Sequence, residues 1–123
     1  MKVLIADDDR VLTRLAAAGL KSRGWQVEVA HDAMQAVMFA MKPPAPDVIA
    51  LDIGMPGGTG FQVLEKLRQS SRTEQIPVVV VTGSARESDE ARVLELGAVT
   101  FLRKPVEPQA LHEALSRAVG QAA

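Results

Sequence analysis

Three residue types that can handle a hard cation or an anionic oxygen, aspartate, threonine and lysine, stand at the ends of apolar runs in this sequence. Asp7-Asp8-Asp9 closes Val3-Leu4-Ile5-Ala6, and Asp52 closes Val48-Ile49-Ala50-Leu51. Thr82 follows four consecutive valines, and Lys104 follows Val99 to Leu102 by two residues. Carboxylates brought within roughly 4 to 6 Å of one another repel by about 3 to 4 kcal/mol per close pair at an effective dielectric near 20, so such a cluster asks for a cation. All-oxygen ligands favour Mg²⁺ or Mn²⁺ over zinc. Asp7, Asp8 and Asp52 are the candidate ligands, with the backbone carbonyl of Gly54, two residues past Asp52, as a fourth. Asp9 reads instead as a helix cap.

Other chemistries find little support. The chain has no cysteine, hence no disulfide, thiolate nucleophile or Cys-ligated zinc, and its two histidines, His31 and His112, share no ligand-spaced cluster and read as surface residues. The loop Gly54-Met55-Pro56-Gly57-Gly58-Thr59-Gly60 fits neither GxGxxG nor GxxxxGK[ST], so no nucleotide site is read there. Fourteen basic against fifteen acidic residues give a formal charge of −1, which offers no broad field for nucleic acid or anionic lipid. No run nears eighteen apolar residues and the amino terminus lacks the features of a signal peptide. The expectation is a cytoplasmic protein with no direct nucleic-acid or membrane partner.

These residues need a scaffold that gathers strand ends. The 123 residues, 47% hydrophobic and 24% charged, suit one domain over 1–123 with one core filled by aliphatic side chains, since only 3% are aromatic. Val3 to Ala6 reads as a buried strand feeding a helix with Val11, Leu12, Leu15, Ala16 and Leu20 at helical spacing, closed near Gly24. Trp25 to Ala30 follows as a second strand, and Asp32 caps a helix with an apolar face of Ala33, Ala36, Val37, Ala40 and Met41. Pro43-Pro44-Ala45-Pro46 ends it. Asp47 to Leu51 is the third strand; a helix from about Thr59 to Gln69 turns Phe61, Leu64 and Leu67 inward. Ile76 to Val81 is apolar on both faces and must lie between covered faces. A helix with Ala91, Val93, Leu94 and Leu96, a strand from Val99 to Leu102 and a last helix within Pro105 to about Val119 complete five βα units.

Strict alternation with right-handed crossovers predicts an α/β fold with a doubly wound five-stranded parallel sheet, strand order 2-1-3-4-5. That order sets the ends of strands 1 and 3 side by side where the winding reverses, the crevice in which such sheets bind ligands. The three acids then face a hydroxyl at Thr82 and an ammonium at Lys104. A metal, a point-charge donor, a hydroxyl and a nucleophilic carboxylate are what phosphoryl transfer to an aspartate requires.

In Asp7-Asp8, Leu51 to Gly60, Val81-Thr82-Gly83, and Gly97-Ala98 through Phe101 to Lys104-Pro105, the chain resembles a receiver domain of two-component response regulators, of the single-domain, chemotaxis-regulator-like kind. The resemblance covers essentially the whole length and implies a flavodoxin-like fold. It implies Asp52 as phosphoacceptor, Asp7 and Asp8 as the acidic pair for Mg²⁺, and Lys104 as the contact to the phosphoryl group. It further implies Thr82 as switch hydroxyl, Phe101 as switch aromatic, and a cis Lys104-Pro105 bond. Gly54 and Ser84 depart from the commonest pattern at positions that govern access of hydrolytic water, which bears on phosphoryl lifetime.

The expected function is a switch that takes a phosphoryl group from a histidine kinase or histidine phosphotransfer protein and alters its surface for a downstream protein target or output domain. It would catalyse its own phosphorylation, with autodephosphorylation left open, and would not be a turnover enzyme for metabolites. A receiver-fold binding module working without phosphorylation is the alternative; loss of an acid or of Lys104 would favour it, and none is lost. An aspartyl-phosphate phosphatase would want an Asp-x-Asp pair with an acid-base partner and a cap domain. With no output domain in the sequence, the expectation is a stand-alone receiver or a fragment of a larger regulator. Ala98-Val99-Thr100 lacks an acidic residue where some relatives form dimer salt bridges, which points to a monomer.

Overall fold

The computed structural model describes residues 1–55, 59–83 and 87–122. Pro56-Gly57-Gly58 of the glycine loop, and Ser84, fall outside them. Five strands, β1 (Lys2–Ala6), β2 (Gln26–Ala30), β3 (Val48–Leu51), β4 (Val78–Thr82) and β5 (Thr100–Arg103), alternate with five helices, α1 (Arg10–Lys21), α2 (Ala33–Met41), α3 (Gly60–Gln69), α4 (Glu87–Glu95) and α5 (Pro108–Ala122). All pairings are parallel and the order is β2-β1-β3-β4-β5, as alternation and handedness predict.

The valines of β4 divide between the two faces of the sheet. Val78 and Val80 join a core with Leu4, Ile49, Leu51, Leu64 and Leu67, while Val79 joins a second with Val3, Ile5, Val48, Leu20 and Leu115. Helices therefore cover both faces, which is why an uninterrupted apolar run is tolerated there. The strand ends one residue later than the apolar run suggests, at Thr82, and β5 likewise shifts one residue, to Thr100–Arg103.

The starts of α1, α2 and α3 each have a local cause. Asp9 Oδ1 accepts the amides of Val11 and Leu12 at 3.0 Å, Asp32 Oδ1 accepts that of Gln35 at 2.7 Å, and Thr59 forms a reciprocal capping box with Gln62. The helices differ from their sequence patterns in which face they bury. On α1 the buried residues are Thr13, Ala17 and Leu20, whereas Val11 (68% exposed), Leu12 and Leu15 (62% exposed) face outward. Gly19 explains the rotation: a Cβ there would lie 2.7 Å from Pro108 Cβ, so α1 meets the start of α5 through its small residues. On α2, Ala33, Ala36 and Ala40 bury as expected, but Met41 turns out toward solvent with Met34 and Met38. On α4, Val93 is buried while Ala91 and Leu94 are exposed.

The two histidines are half-buried rather than free on the surface. Buried Trp25 donates its indole N–H to His112 Nδ1 at 2.9 Å, tying the chain before β2 to α5. At that same edge Arg68 donates to the carbonyls of Glu74, Ile76 and Gly97, closing the turns before β4 and β5. The Lys104-Pro105 peptide is cis, as is Pro43-Pro44.

Gly60 sets how closely α3 approaches the end of β3. A Cβ on Gly60 would lie 2.5 Å from Ile53 Cα and 2.8 Å from the Asp52 carbonyl oxygen, both backbone atoms that cannot swing aside. Gly60→Ala is expected to cost about 2 to 4 kcal/mol of unfolding free energy. Gly120→Ala meets no atom within 4 Å in α5 and is expected to gain a few tenths to about 1 kcal/mol. Urea titration of the two variants checks both signs; equal effects would mean that the approach of α3 is not set by Gly60.

Candidate functional site

The acidic residues occupy the first positions beyond their strands, and the backbone ladder extends into them. The Asp7 amide donates to the Ala30 carbonyl at 3.0 Å, the Asp52 amide to Ala6 at 2.8 Å and the Lys104 amide to Thr82 at 3.0 Å. Each functional side chain thus leaves a backbone already held by a neighbouring strand. Asp7 and Asp52 are buried and Asp8 is exposed. Oxygens of Asp7, Asp8 and Asp52 all lie within 4.8 Å of one another. At that separation two ionised carboxylates repel by about 3 to 4 kcal/mol at an effective dielectric of 20, and less where one of them is exposed.

Lys104 counters that repulsion within the protein itself. Its Nζ lies 2.5 Å from Asp7 Oδ2 and 3.5 Å from Asp52 Oδ2, so one ammonium bridges the ends of β1 and β3. Its stem runs past Gly83, where a Cβ would stand 3.7 Å from Lys104 Cβ. The remaining carboxylate oxygens are also engaged. Asp7 Oδ1 accepts the Asp9 amide at 2.9 Å, and Asp52 Oδ1 accepts the Gly54 amide at 3.1 Å. Gly54, whose carbonyl is the expected backbone ligand, also contributes its amide, which fixes the orientation of the Asp52 carboxylate.

Burial, first, pushes the Asp7 carboxyl above its ordinary value, outweighing the Lys104 hydrogen bond, the Asp9 amide and the Lys104 charge, which pull it down; Asp52 adds to the rise. For Lys104 burial alone would lower the pKa, but the Asp7 hydrogen bond and the charges of Asp52 and Asp7 together outweigh it and hold the ammonium above its usual range. Lys104 therefore stays charged wherever Asp7 and Asp52 are ionised.

The donor set fits a hard divalent cation: three carboxylates, one of them exposed to solvent, with no competing thiolate or imidazole among the ligand atoms. Asp7, Asp8 and Asp52 would hold such an ion, which would supply positive charge for anionic oxygens bound beside Asp52.

Thr82 sits at the end of β4, between β3 and β5. It is 1% exposed, and its Oγ1 has no hydrogen-bond partner among the described residues. A buried hydroxyl without a partner is uncommon, and it marks a donor available to an incoming acceptor. Phe101, on β5, is half-buried and packs against the core on the α3–α4 face. The Arg103 guanidinium lies 5.4 Å from the Phe101 ring centroid and 3.7 Å from Glu90 of α4, so the ring is joined to α4 through one arginine.

Two contributors went unread in the sequence. The His31 ring places Nδ1 3.1 Å from the Asp7 carbonyl oxygen, bracing the loop after β1; its position directly after β2, the neighbour of β1, was the available signal. A groove of about 540 Å³ between α1 and the β5–α5 segment runs up to Asp52 and Lys104, with Leu12, Leu15, Val106 and Pro108 along it. It follows from the outward turn of α1, for which the sequence carried no signal.

The raised Asp7 carboxyl yields a pH dependence with a definite sign. Between the ordinary value near 3.8 and the higher folded value, the folded protein binds more protons than the unfolded chain, so metal-free stability falls as pH rises through that window. Asp7→Asn removes this contribution while keeping an oxygen for Lys104. Its stability relative to the wild type is expected to increase with pH across that window, by at most about 1.4 kcal/mol per pH unit, and then level off. Denaturant titrations in EDTA from acid to neutral pH check this; a relative stability that decreases with pH would mean that pairing outweighs burial.

Comparison with known proteins agrees with this arrangement. The chain matches the family model for the response regulator receiver domain over residues 3–116. It is 36% identical over 110 residues to the phosphate regulon transcriptional regulatory protein PhoB of Escherichia coli, covering 89% of this chain and 48% of that protein. It is 38% identical over 106 residues to the response regulator PleD of Caulobacter vibrioides, covering 86% of this chain and 23% of that protein. The chain thus spans about half or less of the length of these relatives. Among solved structures it superposes on a CheY-like receiver domain protein of Methanospirillum hungatei with a TM-score of 0.90 at 26% identity, covering 98% and 94% of the two chains. The Mn²⁺-bound form of response regulator Rcp1 aligns with a TM-score of 0.80 at 27% identity, covering 94% and 89%. With the family model spanning nearly the whole chain and the solved receiver domain superposing over almost its full length, this chain belongs to the response regulator receiver domain family.

Proposed function

We propose that the chain is a phosphorylation-controlled switch in which Asp52 takes a phosphoryl group from a histidine kinase or histidine phosphotransfer protein, with Mg²⁺ or Mn²⁺ as cofactor. The observation that carries this reading is the convergence on one edge of the sheet of three carboxylates within 4.8 Å, a bridging lysine and a buried hydroxyl without a partner among the described residues. The alternative of a phosphorylation-independent binding module gains no support, because every member of that set is present and in place.

The roles follow from the geometry. The Gly54 amide holds Oδ1, which leaves Asp52 Oδ2 as the nucleophile. Lys104, already 3.5 Å from that oxygen, would follow the charge onto a phosphoryl oxygen and loosen from Asp7. Asp7, Asp8 and Asp52, with the Gly54 carbonyl, would hold the cation, whose part is to neutralise the phosphoryl oxygens; that a similar response regulator has a Mn²⁺-bound form supports a divalent ion. The apolar side chains of Leu12, Leu15, Val106 and Pro108 along the groove beside Asp52 support docking of a protein donor.

Phosphorylation adds close to two negative charges, and the Thr82 hydroxyl, buried at the end of β4 without a partner among the described residues, is a donor that would turn toward them. Space vacated by Thr82 would admit Phe101, whose inward rotation strips Arg103 of its ring contact and alters the tie to Glu90 on α4. A downstream protein or output domain would read that change. On this reading the chain catalyses only its own phosphorylation and is not a turnover enzyme. No helix among the described residues is long and apolar enough to cross a membrane, which is compatible with a cytoplasmic site of action.

Asp52→Asn is expected to abolish the Mg²⁺-dependent, acid-labile mass increment that acetyl phosphate produces, with the fold intact; a full increment in the variant would overturn the assignment. Thr82→Ala is expected to accept the phosphoryl group yet fail to transmit it. In NMR spectra with beryllofluoride, its Phe101 and α4 resonances should stay at their unmodified positions while those of the wild type move. Equal movement in both proteins would remove the hydroxyl from the coupling.

A further inference from the structure

Helix α2 is unlike the other surface helices in carrying no charged residue. Its sequence, Ala33-Met34-Gln35-Ala36-Val37-Met38-Phe39-Ala40-Met41, has one polar side chain in nine. The alanines Ala33, Ala36 and Ala40 bury against the sheet, and they account for how the helix docks. The face roughly 120° round the helix is not used for packing. Met34 is 71% exposed, Met38 56% and Met41 36%, at spacings of four and three residues, which places them in one stripe. Exposed apolar residues scattered singly need no explanation, but a continuous stripe on an uncharged helix marks a surface that another surface covers. Methionine is suited to that task, because its unbranched thioether adapts to an irregular partner.

The charges at the two ends of the helix indicate the occupant. Asp32 stands at the amino end as N-cap and Lys42 at the carboxyl end as C-cap. Between them lies an uncharged segment of nine residues, about 13 to 14 Å long. A second copy laid antiparallel about a twofold axis near Val37 would set Asp32 of each copy beside Lys42 of the other. It would also bring the two Met38 side chains together near the twofold axis, about 3 Å apart along the helix direction, and Met34 within about one residue's rise of Met41. Opposed helix dipoles would favour the same arrangement. Lys42 is free to serve it: its side chain is 60% exposed, its Nζ lies 3.6 Å from Glu28 Oε2, and it rests 5.6 Å over the Phe39 ring. Glu28 is shared with Lys2 at 3.6 Å, so it keeps a counter-charge if Lys42 turns to a new partner.

We infer that the Met34, Met38 and Met41 face of α2 is a self-association surface through which two copies of this chain pair antiparallel, with Asp32 and Lys42 closing the two ends. The contact is isologous, as a twofold pair requires. It departs from the monomer expected from the α4–β5 segment, because it uses a different face of the molecule. It is independent of the phosphoryl-transfer reading and forms without phosphorylation. Three methionines on one short helix cover on the order of 300 to 400 Å² per copy, about half of what a standard-size stable interface buries, so the association is weak and concentration-dependent. A dissociation constant of about 10⁻⁴ to 10⁻³ M is the matching scale.

Sedimentation equilibrium of the unmodified chain, from about 20 μM to about 1 mM, tests this directly. The weight-average mass should rise with concentration. Met38→Lys should weaken association at least about tenfold, since it places two ammonium groups together at the twofold axis. Asp32→Asn, which retains the capping oxygen, and Lys42→Gln should each weaken it by about twofold. Leu94→Lys, on the exposed face of α4, should leave it unchanged. As a second readout, dilute hydrogen peroxide converts each accessible thioether to its sulfoxide, with release of water. Met34, Met38 and Met41 should be protected at high protein concentration, while Met1, itself 67% exposed, should not. A mass that stays monomeric throughout, association unaffected by Met38→Lys, association lost in Leu94→Lys, or the absence of α2 protection would each overturn the inference.

Discussion

The placement of one ammonium between two buried carboxylates is the condition on which the rest of this structure depends. Asp7 and Asp52 lie on adjacent strands, close enough to repel, and both are withdrawn from solvent. Lys104 comes from the far edge of the sheet, past the end of β4, and reaches both. A buried pair that loses one partner is left with an uncompensated charge, which is far more costly than never having formed the pair. The register of β5 against β4 and the hydrogen bond from the Lys104 amide to the Thr82 carbonyl serve to deliver that ammonium to its position. The same arrangement leaves the site responsive, since an ammonium held by two carboxylates can transfer its allegiance to a new anion without leaving the pocket.

Much of the fold was legible because parallel strands buried on both faces carry their signal in composition alone. Four valines in a row have few other places to go, and the alternation of such runs with helical periodicity fixes the topology almost by elimination. The faces of the helices were harder to read. On α1 Val11, Leu12 and Leu15 point outward while Ala17 buries, and on α2 Met34 and Met38 point outward while Ala33, Ala36 and Ala40 bury, the reverse of what a count of hydrophobicity suggests. Close packing explains the reversal: at Gly19 against Pro108, a larger residue would hold the helices apart.

The candidate site was legible in its members and less so in its connections. Asp7, Asp8, Asp52, Thr82 and Lys104 announce themselves by standing where apolar runs stop, and strand order brings them together. Sequence reasoning assigned the relief of carboxylate repulsion to a metal, whereas the structure gives part of that task to Lys104. That difference could not be read from spacing, because it depends on the reach of a flexible side chain across three strand ends. The brace from His31 to the Asp7 carbonyl and the isolation of the Thr82 hydroxyl are likewise matters of atomic position.

Trp25, the only tryptophan in the chain, is buried where the chain enters β2, with its indole bonded to His112. The acidic cluster lies beyond the opposite ends of the strands, roughly 16 Å away along a five-residue strand. Intrinsic fluorescence therefore samples the packing before β2, at the amino-terminal ends of the strands, and is nearly blind to what happens around Asp52. For this molecule, emission is a clean thermometer of global unfolding, and spectroscopic study of the site itself calls for a chromophore introduced at the other edge.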